Sequence, residues 1–271
     1  MNHQTQQIIM ETVIDKLTAI LEPNSFVNAF WLVGSVAKDT VDEYSDLDFW
    51  IDFDNKYEDK VFASVEIALS SVADIDFRHK KTALEKGVPH ITMGVPLTVH
   101  KVIYHLNGTS EHLRITVSWQ EQNNLKKEYI FDENRKIEPV KILFDKDNII
   151  SCRSVNPSDF KERNKSLLEE AIYCRNRQSA FIEKNTSRLW YMESLYAYNR
   201  YVLDPLITIL RLIYTPAYPF KYLNHITQHI PAGELKRLEY FAQISSLTDM
   251  EKKVSQAGEW FDDLKEKLIT N

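Results

Sequence analysis

Between residues 26 and 53 the chain sets two strand-like runs on either side of a polar loop. The first is FVNAFWLV, and the second runs from Tyr44 to Phe53 with Asp46 and Asp48 inside it. Two closely spaced acids in a largely apolar strand constrain the fold strongly. Alternate residues of a strand share a face, so Asp46 and Asp48 point the same way with their Cα atoms about 6.5 Å apart. Leu47, Phe49 and Ile51 point the other way, into a core.

Two carboxylates at that spacing resist ionising together unless a cation sits between them. Hard oxygen ligands on a strand suit magnesium, which takes one or two protein carboxylates and fills its shell with phosphate oxygens and water. Gly34-Ser35 follows the first strand and opens a turn or short helix. Free backbone amides and a hydroxyl there can hold a phosphate, and glycine lets it approach closely. A phosphate cradle beside a metal platform suits phosphoryl or nucleotidyl transfer, in which catalysis is mostly positioning and charge neutralisation.

The remaining pattern predicts an α+β chain in two parts. Residues 5 to 21 carry apolar residues at helical spacing, residues 59 to 72 read as a helix, and ADIDFR (73 to 78) as a short strand. After Pro89 and Pro96, LTVHKVIYHL and EHLRITVSWQ flank Asn107-Gly108 as a hairpin, and KILFD (141 to 145) adds a strand. This order implies a mixed sheet with helices on one face, over residues 1–153. From about Pro157 helical patterns replace strand patterns, at 158 to 183, 186 to 214, 232 to 246 and 248 to 268. Residues 154–271 therefore read as an all-α helical bundle.

Composition bounds the function. Of 271 residues 44% are hydrophobic, and the net charge of −6 has the wrong sign for wrapping nucleic acid through phosphate contacts, so no nucleic-acid partner is expected. The first residues lack the basic start and apolar run of a secretory signal, and PLITILRLIY is too short to cross a bilayer, so a cytoplasmic location and no membrane partner are expected. Cys152 and Cys174 lack metal-type spacing and read as reduced thiols.

The segment LVGSVAKDTVDEYSDLDFWI resembles the signature of the polymerase-beta-like nucleotidyltransferase superfamily, an apolar strand, then G-S-x-A, then S-D-x-D. Within it the likeness is greatest to bacterial aminoglycoside and lincosamide nucleotidyltransferases. VIYHLNGTSEHLRITV resembles their following hairpin, and the helical half is similar to their substrate-side domain. The resemblance implies triphosphate contacts from Gly34, Ser35, Lys38 and Ser45, magnesium (Mg2+) held by Asp46 and Asp48 as the catalytic acids, and ATP as substrate. It also implies a third acid on the second hairpin strand. Here that position falls at Thr116, or at Arg114 if shifted by two, and neither is a carboxylate. Asp76 substitutes only if its strand neighbours Asp48, and Glu111 only through a bulge. Asp39 stands where the family often has glycine.

The expected activity is transfer of AMP from ATP to a hydroxyl of a small molecule, with antibiotics among the acceptor candidates. The alternative is a degenerate relative that binds nucleotide or a protein partner without catalysis. In the helical half Lys221 is a candidate for the triphosphate, with Glu193 and Arg211 also of interest. His225 and His229 at i, i+4 have no evident third ligand, and Trp190, Leu195, Tyr198 and Val202 read as a core stripe.

Overall fold

The computed structural model describes residues 3–85, 90–91, 97–121, 128–134 and 137–270. Pro89 and Pro96 lie outside them. The chain divides into two compact units, Met1–Val155 and Asn156–Asn271.

The first unit is built on a six-stranded mixed sheet. Its strands are β1 (Val27–Val33), β2 (Leu47–Phe53), β3 (Ile75–Glu85), β4 (Leu97–Leu106), β5 (Ile115–Gln120) and β7 (Lys141–Asp145), in the order β3-β4-β5-β2-β1-β7. Every neighbouring pair is antiparallel except β2 and β5, which are parallel. Helices α1 (His3–Leu21) and α3 (Glu58–Ser70) contribute to the core on one face. Met10, Val13, Leu17 and Leu21 of α1 are buried at helical spacing, and meet Phe30, Leu32, Phe49, Ile51, Ile115 and Val117. The rings of Phe30 and Phe49 stack with centroids 4.9 Å apart.

The other face has its own smaller cover. Two short strands, β6 (Tyr129–Asp132) and β8 (Ile150–Arg153), pair in parallel, and Tyr129 and Phe131 pack with Trp31, Trp50 and Val99 of the large sheet. Beneath this cover Asp52 is buried and accepts hydrogen bonds from the Tyr129 hydroxyl at 2.9 Å and Asn28 Nδ2 at 2.8 Å. Burial and the adjacent Asp52 carboxylate push the Tyr129 hydroxyl pKa well up. His90 is buried edge-on to Trp50 and Tyr129, and loss of hydration pulls its pKa down to about 3.

Two strand expectations change. The second strand begins at Leu47 rather than Tyr44, because Asp42 to Ser45 close a turn. The strand expected at 73 to 78 runs on to Glu85, because alternate cations of the RHKK run are neutralised from the core side: Arg78 pairs with Glu66 at 2.6 Å and Lys80 with Glu58, both on α3.

The second unit is helical. Its first long helix, α4 (Lys161–Thr186), follows a 3-10 turn Pro157–Phe160 whose capping box joins Asn156 and Asp159. Then come α5 (Tyr191–Tyr198), α6 (Asp204–Tyr214), α7 (Ile226–His229), α8 (Ala232–Ala242) and α9 (Leu247–Thr270). The single helix expected at 186 to 214 is broken at Ser187–Trp190, where Leu189 has φ +58°, and Asn199–Leu203 form a wider π-helical turn. Pro205 follows that turn; lacking an N–H, it cannot continue the regular ladder. Tyr198 and Val202 join the helical core and Leu195 packs on it, whereas Trp190 is exposed, which corrects its place in the stripe. Cys152 and Cys174 are free thiols, and among the described residues no helix is long and apolar enough to cross a membrane.

Candidate active site

β1 delivers the chain at Val33 into Gly34, which takes φ +75° and opens a single helical turn, α2 (Gly34–Ala37). The Ser35 carbonyl accepts from the amides of Lys38 at 3.2 Å and Thr40 at 3.0 Å, closing the loop, and Asp39 holds φ +56° within it. The loop lies against β2. A Cβ built on Gly34 would stand 3.4 Å from Asp48 Oδ2.

Ser45 is buried and committed to the turn before β2. Its hydroxyl donates to Asp42 Oδ1 at 2.7 Å and accepts from the Asp42 amide at 2.9 Å, and its carbonyl accepts from Gln6 Nε2 at 3.1 Å. Gln6 and Asp42 therefore position the acidic pair. No motif singled them out, because their partners lie in the turn geometry rather than in the spacing.

Asp46 lies one residue ahead of the ladder and Asp48 within it, opposite Val33 on β1 and opposite Thr116 on β5. The Leu47 amide donates to the Arg114 carbonyl at 2.9 Å, which brings Arg114 beside Asp46. Burial raises the Asp46 pKa, with its own backbone amide and the Arg114 charge pulling it back. Gly34, Ser35, Asp46, Asp48, Arg114 and Thr116 thus converge on one end of the sheet, with Lys38 at the end of α2.

Asp76 does not join them. β3 is separated from β2 by β4 and β5, about 14 Å by strand spacing, and Asp76 is engaged with His105 Nδ1 at 2.7 Å. This corrects the expectation that Asp76 could stand in for a third acid. Among the described residues no group of three or more His, Cys, Asp or Glu side chains is arranged to hold a metal. Two carboxylates beside a glycine turn still fit magnesium, whose remaining ligands would be phosphate oxygens and water.

In the helical unit Lys221 ends the turn Pro219–Lys221. Arg211 is fully buried and donates from Nε to the Tyr222 carbonyl at 2.8 Å and from Nη2 to that of Asn224 at 2.7 Å. It pins a loop rather than presenting a charge to a ligand. His229 Nδ1 lies 2.9 Å from Arg211 Nη1, and His225 caps α7 at φ +54°. Glu193 lines a cavity of about 510 Å3 with Phe181, Tyr196 and Tyr201.

No curated protein matches this chain in sequence. The solved structure of an aminoglycoside 6-adenyltransferase from Bacillus subtilis aligns at 10% identity over 96% of this chain and 88% of its own, with a TM-score of 0.34. An H. pylori protein assigned as a nucleotidyltransferase aligns at 10% identity over 97% of each chain, with a TM-score of 0.25. At these scores neither alignment bears on the site. The nucleotidyltransferase domain family matches residues 14–174, which include the glycine turn, both aspartates and the whole six-stranded sheet. The chain belongs to the nucleotidyltransferase domain family.

Proposed function

We propose that the protein transfers a nucleoside monophosphate, AMP from ATP in the first instance, to an oxygen of a small molecule. The observation that carries this reading is the contact between the Gly34 turn and Asp48. It supports a reading in which the backbone of this turn holds phosphate beside a carboxylate that holds a metal. In this reading the α2 amides and the Ser35 hydroxyl hold the triphosphate, and Lys38 adds a positive charge beside it. Asp46 and Asp48 hold magnesium, which when bound neutralises charge on the α-phosphate and on the departing pyrophosphate. Arg114 offsets part of the negative charge of Asp46.

The test is thermal unfolding of wild type and of an Asp46→Asn, Asp48→Asn double variant, titrated with ATP with and without magnesium. At about a hundred times its dissociation constant a ligand adds roughly 2.7 kcal/mol to stability. Wild type should show a magnesium-dependent rise that the double variant lacks; equal behaviour of the two proteins rejects the metal platform.

A second reading is that nucleotide binds without transfer, and Thr116 in register with Asp48 favours it, because that position offers no carboxylate. ATP-dependent stabilisation without pyrophosphate release, across neutral, cationic and anionic acceptors, would select it.

A further inference from the structure

Helix α4 ends at Thr186 and α5 begins at Tyr191, and the chain folds back between them because Leu189 takes φ +58°, a conformation that strains a leucine. Asn185 holds this turn closed. Its carbonyl accepts from the amides of Arg188 at 3.2 Å and Trp190 at 3.1 Å, and its Nδ2 donates to the Glu193 carbonyl at 3.2 Å. The last turn of α4 and the first turn of α5 thereby become walls of the cavity of about 510 Å3, a volume within the range of small-molecule sites.

Each wall brings one charge. Lys184 stands in the last turn of α4 and Glu193 in the first turn of α5, and both line the cavity. They do not pair with each other, and among the described residues neither charged group has another ion-pair or hydrogen-bond partner. Much of the remaining lining is aromatic. Phe181 and Tyr201 stack with centroids 4.8 Å apart, and Arg177 lies over the Phe181 ring at 5.5 Å, adding positive charge on the α4 side. Met192 is 69% exposed and Tyr196 73%, so neither is committed to the helical core.

We propose that this cavity binds a small aromatic zwitterion, its ammonium on Glu193, its carboxylate on Lys184, and its ring against Met192, Tyr196 and the Phe181–Tyr201 stack. Each part of the ligand answers a separate feature. A simple amine would meet Glu193 but stand as a like charge near Lys184, and a simple carboxylate would do the reverse near Glu193. A zwitterion without a ring would leave the exposed Met192 thioether and Tyr196 ring in water, and covering such surface is what favours an apolar body. The inference does not depend on the nucleotidyl-transfer reading. All of these residues lie in the second compact unit, and Gly34 and Asp48 in the first.

The experiment is calorimetric titration of the full chain at low ionic strength, without nucleotide or magnesium. Two aromatic zwitterions are compared: L-phenylalanine, whose charges share one carbon, and 4-(aminomethyl)phenylacetate, whose charges lie at opposite ends of the ring. At least one should bind, the tighter one giving the separation of Glu193 from Lys184 across the ligand. Phenethylamine and 3-phenylpropanoate, which keep one charge each, should bind about three-fold or more weakly, the effect of one partly exposed ion pair. L-alanine and 6-aminohexanoate, which keep both charges without a ring, should bind about ten-fold or more weakly. Glu193→Gln and Lys184→Gln should each weaken the aromatic zwitterion about three-fold or more. Both side chains are exposed, so the ligand-free melting temperature should hold, and Glu193→Gln keeps the carbonyl that Asn185 engages. The proposal is overturned if neither aromatic zwitterion binds, if a single-charge or ringless compound binds equally, or if both variants bind as wild type does. Because the readout needs no ATP or magnesium, failure of the nucleotide reading leaves it standing.

Discussion

Gly34 and Asp48 meet across the β1–β2 pair, the glycine at φ +75° and a Cβ built on it 3.4 Å from Asp48 Oδ2. One residue without a side chain therefore sets both the left-handed turn of the β1–β2 loop and its distance from the carboxylate.

Gly34→Ala should cost about 1–2 kcal/mol from the left-handed conformation. The added methyl also meets the Asp48 carboxylate. The melting temperature should fall by several degrees and the magnesium-dependent stabilisation by ATP should weaken at least ten-fold. Unfolding curves with and without ATP and magnesium measure both; an unchanged ATP response would detach the glycine from the site.

Asp39 occupies a positive-φ position, φ +56°, at the end of the same loop. Asp39→Gly should change stability by less than about 1 kcal/mol, because relief of backbone strain is offset by the freer unfolded chain. Removing a negative charge beside the loop should tighten ATP several-fold. Asp39→Asn should reproduce the affinity gain; if only the glycine variant does, backbone geometry rather than charge is responsible.

Thr116 lies in register with Asp48, so Thr116→Asp adds a carboxylate where a metal bound by Asp48 could reach it. The magnesium concentration that half-saturates the ATP-induced stabilisation should fall several-fold. A variant with an unaltered magnesium requirement would show that position 116 does not face the metal.

His90 is buried with a pKa near 3, so it stays neutral when folded over a range in which the unfolded chain, with a value near 6.5, takes up a proton. The unfolded state then binds more protons, and stability is lost as pH falls from about 6.5 toward 3. His90→Phe, which keeps a ring between Trp50 and Tyr129, should remove that contribution. Relative to pH 7, the variant should gain about 2 kcal/mol over wild type at pH 4.5. Denaturant unfolding at the two pH values measures this, and parallel losses would place the acid sensitivity elsewhere.

The strand period made much of the site readable. Leu113, Ile115 and Val117 are all buried, so alternation alone assigns Arg114 and Thr116 to the opposite face, and β2 carries Asp48 on that side too. What spacing could not supply was the order of strands, which leaves Asp76 three strands from Asp48. Nor could it supply the length of β3, which depends on acids of α3 meeting alternate cations. β6 and β8 went unread because four-residue strands carry little periodic signal and pair only through the fold. The break before α5 hangs on Leu189 at φ +58°, a conformation no leucine advertises.

β1 is hydrogen-bonded to β2 on one side and to β7 on the other. Its sequence, VNAFWLV, exits the ribosome more than a hundred residues before Lys141 does. At about 5–20 residues per second that interval is roughly 5–20 s. During it the glycine turn and both aspartates can form with β2 alone, while an apolar strand waits with one side unpaired. Synthesis thus has a window in which this chain is most exposed to joining its neighbours, and it closes when β7 docks.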